Sequence, residues 1–197
     1  MIWKGDSNWA KPYVNRSSIY DVLGKYDLAI SDSSKAIEID PNNKQAYTNR
    51  CYAYVALEQY DLAVIDCTKA LQIDPNFLEA YLNRSTAYSM LKQFDLAIID
   101  YNKIIEMDPD YGTVYLWRGN AQAELHNFDD AISDYQEAIK IEQSSYAYCV
   151  LGVTYTKIGD FDLAIIALEN GIRLDTKEDY SWCEQALENA KLGIAAP

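Results

Sequence analysis

The sequence is short of the residues that metal and reaction chemistry need. It has one histidine, His126, and four cysteines, Cys51, Cys67, Cys149 and Cys183, none in a Cys-x-x-Cys spacing. One imidazole and scattered thiols do not make a zinc site of the usual kind, so no metal is expected. There is no Gly-rich phosphate loop and no nucleophile at a motif spacing from His126, so neither a catalytic residue nor a cofactor is expected. No apolar run approaches the ~18 residues of a membrane span, so no membrane insertion is expected. The opening MIWKGDSNWAKPY lacks the apolar stretch of a signal peptide. Positive charge is scarce too: 17 Lys and Arg stand against 30 Asp and Glu, a net charge of −13. Binding a phosphate backbone takes clustered cations, which argues against nucleic acid as a partner. Isolated cysteines in an apolar setting are expected to be buried thiols in a reducing compartment, which points to the cytoplasm.

What is present is a 49% apolar content, enough for a continuous core, and a period. Phe94-Asp95-Leu96-Ala97-Ile98 recurs as Tyr60-Asp61-Leu62-Ala63-Val64 and as Tyr26-Asp27-Leu28-Ala29-Ile30, each 34 residues earlier. It returns as Phe128-Asp129-Asp130-Ala131-Ile132 and as Phe161-Asp162-Leu163-Ala164-Ile165. A self-similar period of this size signals stacked helical repeats.

Within the unit 78–111, apolar residues at helical spacing form two blocks, Tyr81, Ala87, Tyr88 and Leu91, then Phe94, Ala97, Ile98, Tyr101, Ile104 and Ile105. Lys92-Gln93 separates them, and the same slot holds Gly24 and Gly159 in the first and last units, which suits a helix C-cap with φ > 0. Asp40-Pro41, Asp74-Pro75 and Asp108-Pro109 end the second block, because proline disfavours helix at the residue before it. Five units follow: 10–43, 44–77, 78–111, 112–144 and 145–178. Residues 1–9 read as a leader with Asn8 as N-cap. Residues 179–192 read as a capping helix with Trp182 and Ala186 inward and Glu184, Gln185, Glu188 and Lys191 outward, and 193–197 as a tail.

Counting from the first residue of each unit, position 4 is Tyr13, Tyr47, Tyr81, Tyr115 and Tyr148, and position 8 is Ser17, Cys51, Ser85, Gly119 and Gly152. Position 20 is Ala29, Ala63, Ala97, Ala131 and Ala164. With Pro at position 32, this pattern resembles the tetratricopeptide repeat over about residues 10–192. It departs in having Tyr rather than Trp at position 4 and Arg rather than Leu at position 7. The resemblance implies an all-α, right-handed superhelical solenoid of antiparallel helix pairs that is not an enzyme and binds a peptide or protein in a groove lined by its first helices.

Position 7 is Arg16, Arg50, Arg84 and Arg118 and then Leu151, while position 23 is Asp32, Asp66, Asp100 and Asp134 and then Ala167. The charges are lost together, as a half-buried pair requires. Pairing within a unit leaves no orphan, whereas pairing with the next unit strands Arg16 and Asp134. A ladder using both partners is the alternative. Asp at position 18 falls in the first turn of each second helix, where it complements the helix dipole, so much of the acidity is structural.

In the family, groove side chains come from positions 2, 5, 6, 9, 12 and 13. Here those include Asn15, Asn49 and Asn83 at position 6, with Tyr52, Thr86 and Asn120 at position 9. An amide pairs with a peptide N–H and C=O together, so the row is a candidate for holding an extended chain. The competing reading is a solvated amide. Further along the groove turns apolar, with Leu116, Trp117, Cys149, Val150 and Val153, which suits a partner, the capping helix or a second copy. The clamp that grips acidic chaperone tails is not matched. Its places hold Val14, Ser18, Asn49, Glu79 and Asn83, or Thr48, Tyr52, Asn83, Thr113 and Trp117, and in each set the middle Asn alone agrees. The expected function is a non-enzymatic scaffold that binds an extended peptide. The alternatives are self-assembly through the C-terminal end, or a repeat segment of a larger protein.

Overall fold

The structure is a computed structural model that describes residues 9–174 and 181–194. The described residues form α1 (Lys11–Val22), α2 (Tyr26–Ile39), α3 (Lys44–Ala56), α4 (Tyr60–Ile73), α5 (Leu78–Met90), α6 (Phe94–Met107), α7 (Gly112–Glu124), α8 (Phe128–Ile141), α9 (Ser145–Ile158), α10 (Phe161–Leu174) and α11 (Ser181–Lys191), with no strand among them. The fold is the all-α solenoid of helix pairs. The described residues divide into two compact units, one ending at Met107 and one starting at Asp108. In the first, each helix packs on the next, and α3 also touches both α1 and α5, so the first helices of the pairs share one face. In the second, α7 packs on α8, α8 on α9, α9 on α10, and α11 on both α10 and α9.

The hairpin turns have one solution. Gly24 and Gly159 adopt φ of +67° and +82°, and Glu58, Lys92 and His126 adopt 58°, 58° and 62° in the same slot. A left-handed residue ends each first helix, and three side chains are held there at about 1 kcal/mol each. The prolines sit in the joints: after Asp40-Pro41 the next helix starts at Lys44, where the Asn43 side chain accepts from the Ala46 N–H. Asp40 and Asp74 turn back onto the N–H groups of Asn42 and Asn76.

Close packing inside a pair rests on facing positions 8 and 24. A Cβ at Gly119 would lie 2.7 Å from Tyr135 Cε1, and one at Gly152 would lie 2.5 Å from Leu168 Cγ, so glycine stands where its partner is large. In the second repeat the same two positions hold Cys51 and Cys67, which form a disulfide with Cα atoms 5.6 Å apart. Cys149 and Cys183 form another, joining α9 to α11. The expectation of free buried thiols is therefore corrected. The sulfurs are buried, but no cysteine is free, because each pair faces across adjoining helices at bonding range.

All four Arg–Asp pairs lie within repeats. The Nε and Nη2 of Arg16, Arg50, Arg84 and Arg118 donate to the two oxygens of Asp32, Asp66, Asp100 and Asp134 at 2.5–2.8 Å. The third nitrogen reaches backward: Arg50 Nη1 donates to Ser34 Oγ and Arg84 Nη1 to Thr68 Oγ1. Arg16 lies on the first described helix, and its side chain is 54% exposed against 20% for Arg50. Asp100 is the deepest carboxylate. Burial pushes its pKa up, opposed by the hydrogen bond and charge of Arg84.

Helix α11 buries Cys183, Ala186, Leu187 and Ala190 and exposes Glu184, Gln185, Glu188 and Lys191. Trp182 stays 39% exposed, its ring edge-on to Tyr146 at 5.9 Å. Asn8 lies outside the described residues. No helix among the described residues is long and apolar enough to cross a membrane.

Candidate functional site

The shared face of α1, α3 and α5 holds a depression of about 250 Å³. Its lining brings together Ser18 and Asp21 from α1, Gln45, Asn49 and Tyr52 from α3, and Glu79, Leu82 and Asn83 from α5. Three of the residues singled out in the sequence, Asn49, Tyr52 and Asn83, thus converge here.

They do not play equal parts. Asn49 is buried and its Nδ2 donates to the Val14 carbonyl at 3.1 Å, Ser17 Oγ at 2.7 Å and Ser18 Oγ at 2.8 Å, while its Oδ1 accepts from Gln45 Nε2 at 2.9 Å. Its N–H groups are fully committed within the fold. Asn49 lies in the lining, but its amide hydrogens go to the two serines and the carbonyl of α1 within their reach. For Asn83 the corresponding places of the preceding repeat hold Cys51, which is in a disulfide, and Tyr52, and Asn83 is half-buried in the lining of the depression. Tyr52 is 44% exposed and stands edge-on to Tyr26 at 6.4 Å, which holds its ring as a wall. Asn15 is exposed outside the lining. Thr86 is exposed too, with its hydroxyl donating to the Leu82 carbonyl.

Asp21 is the feature the sequence reading passed over. Its Oδ1 is shut from solvent with no hydrogen-bond partner, and burial pushes its pKa up to about 7. A signal was there, since Asp21 stands at position 12, where the other units carry Val55, Ser89, Ala123 and Thr156.

The C-terminal unit is described separately. Trp117 is half-buried with its ring 6.3 Å from Tyr111, and Asn120 Oδ1 accepts from the Tyr135 hydroxyl at 2.9 Å. Leu116 lines a second depression of about 240 Å³ with Thr113, Glu142 and Tyr146. Cys149 is fully buried in its disulfide, so it does not face a groove as expected, while Val150 and Val153 pack against the core.

Comparison with protein families finds the tetratricopeptide repeat at residues 10–43, 45–77, 67–99, 112–145 and 145–178. Among solved structures, MamA residues 41–end from Desulfovibrio magneticus RS-1 aligns with a TM-score of 0.82 at 21% identity, covering 89% of this chain and 98% of that one. YrrB, described as a TPR protein with an unusual peptide-binding site, aligns at 0.82 and 22%, covering 91% and 92%. A thermophilic TPR protein of Thermus thermophilus, TTC0263, aligns at 0.63 and 18%, covering 93% and 99%. At these identities the likeness is one of fold. Comparison with curated proteins finds no match.

Proposed function

Because the chain belongs to the tetratricopeptide repeat family, we propose that it is a non-enzymatic protein-interaction scaffold that holds an extended peptide on the face of α1, α3 and α5. The observation that carries this reading is the depression of about 250 Å³ on that face, where Asn83 and the Tyr52 ring are presented while the amides of Asn49 and Gln45 are tied down internally. Asn15 and Thr86 extend the same face along the chain direction. The test is selection of random-sequence peptides from a display library on the intact protein. Tyr52→Ala with Asn83→Ala should abolish capture and leave helicity and melting unchanged. Capture that survives the double change sinks the proposal.

A second reading concerns the C-terminal end, where Trp182, Leu192 and Ile194 are 39%, 70% and 52% exposed. Such apolar exposure suits contact with a second copy. Light scattering over a dilution series decides it: a monomer at every concentration excludes self-assembly. Two disulfides argue for an oxidising compartment rather than the cytoplasm expected from free thiols.

A further inference from the structure

The lining of the depression between α1, α3 and α5 holds two carboxylates and no cationic side chain. Asp21 and Glu79 are the charged side chains in its lining, and neither is engaged in an ion pair among the described residues. Two amides of the lining are committed elsewhere: Asn49 Nδ2 to α1, and Gln45 Nε2 to Asn49. Asp21 Oδ1 is left without a donor and out of contact with water. A carboxylate oxygen in that state is costly until a donor reaches it. Burial already holds the group near neutrality, up to about 7, so the charge is poised rather than lost. Tyr52 and Leu82 supply apolar wall beside the two acids, which suits the alkyl stem of a long cationic side chain.

We propose that this depression is the subsite for a cationic side chain, arginine or lysine, of the bound peptide, anchored by Asp21 and Glu79 and packed by Tyr52 and Leu82. The inference rests on the peptide-binding reading above and names the chemistry of its ligand. Guanidinium fits better than ammonium, because its planar fork of donors can serve two carboxylates at once. Overall acidity contributes attraction at a distance, but the subsite fixes where the cation sits.

The experiment is the same random-peptide selection, carried out on the wild type, Asp21→Asn, Glu79→Gln and, as a control, Glu106→Gln on α6, which is exposed and paired with Lys103. Peptides selected on the wild type should carry Arg or Lys at a recurrent position. A synthetic copy of one should bind Asp21→Asn and Glu79→Gln about tenfold more weakly and Glu106→Gln unchanged. Replacing its recurrent Arg by citrulline should cost at least that factor on the wild type and nothing further on a variant that carries both Asp21→Asn and Glu79→Gln. Selected peptides without a recurrent cation overturn the subsite and leave the peptide-binding reading standing. No selected peptide overturns both. Equal loss in Glu106→Gln also overturns the subsite, since general acidity then explains the preference. Melting of each variant establishes folding, and Glu79→Gln, at an exposed position, carries the test if Asp21→Asn does not fold.

Discussion

Asn49 Nδ2 lies 3.1 Å from the carbonyl oxygen of Val14, a residue 35 positions earlier, and ties the second repeat to the first. Two serine hydroxyls on α1 complete the set. Asn49→Ala removes the donor that these three acceptors share at a buried site, and should lower stability by about 1–3 kcal/mol in denaturant unfolding. Asn83→Ala, at the equivalent place one repeat on, should change it by less than about 0.5 kcal/mol. Equal effects would mean that Asn49 is not a tether.

Arg84 and Asp100 give a second contrast, and the chain supplies its own control. In the fifth repeat the same two positions are Leu151 and Ala167, both buried. Asp100→Ala alone strands a guanidinium that is 16% exposed, and should cost about 3–5 kcal/mol. Adding Arg84→Leu reproduces the fifth-repeat pair and should recover most of that loss. Thermal melts of the two singles and the double measure the coupling. Additive losses would show the pair contributes no mutual stabilisation.

Much of this architecture was legible because a repeat prints the same physics several times. The left-handed slot was visible as Gly24 and Gly159, and Lys92 adopts the conformation those glycines imply. The joint loss of Arg and Asp in the fifth repeat identified the pairing. The disulfides were legible by the same logic and were missed. Cys51 and Cys67 are 16 residues apart, the separation that joins Arg50 to Asp66 one position earlier, and Cys149 and Cys183 are 34 apart, one full period. Thiols read singly look inert, whereas read against the repeat they face each other. Asn49 was not separable from Asn83 on spacing alone. The difference lies in what the preceding helix presents, Ser17 and Ser18 in one case, Cys51 and Tyr52 in the other. That depends on how α3 is rotated against α1. Asp21 was similarly hidden, because an acid on a strongly acidic chain carries no signal until its lack of a partner is seen.

The sulfur pairing has a direct chemical test. Alkylation of the unfolded, unreduced protein should modify none of the four cysteines, and alkylation after reduction should modify all of them. The bonds close loops of 16 and 34 residues, for which chain entropy gives about 3–4 kcal/mol of stability each. Replacing Cys183 with Ala should weaken the attachment of α11 and raise quenching of Trp182 fluorescence, without reaching the Tyr52 wall. Quantitative alkylation before reduction would overturn the pairing.

Asp21 predicts a pH dependence of the opposite sign to that of an ordinary paired carboxylate. Burial raises its folded-state pKa to about 7, whereas the unfolded chain ionises it near 3.9. Between those values the folded state binds the extra proton, so the Asp21 contribution to stability falls as pH rises through this window and is flat above it. Asp21→Asn removes the ionisation and keeps the shape. The variant should match the wild type near pH 4 and exceed it at pH 8, by about 1–2 kcal/mol once partial exposure is discounted. Taking the difference between the two proteins at each pH cancels the titration of Glu79 and of the Arg–Asp pairs. A difference that stays constant from pH 4 to 8 would show that Asp21 is already paired. A bound arginine-bearing peptide should abolish the difference at pH 8, because the cation supplies the donor the carboxylate lacks.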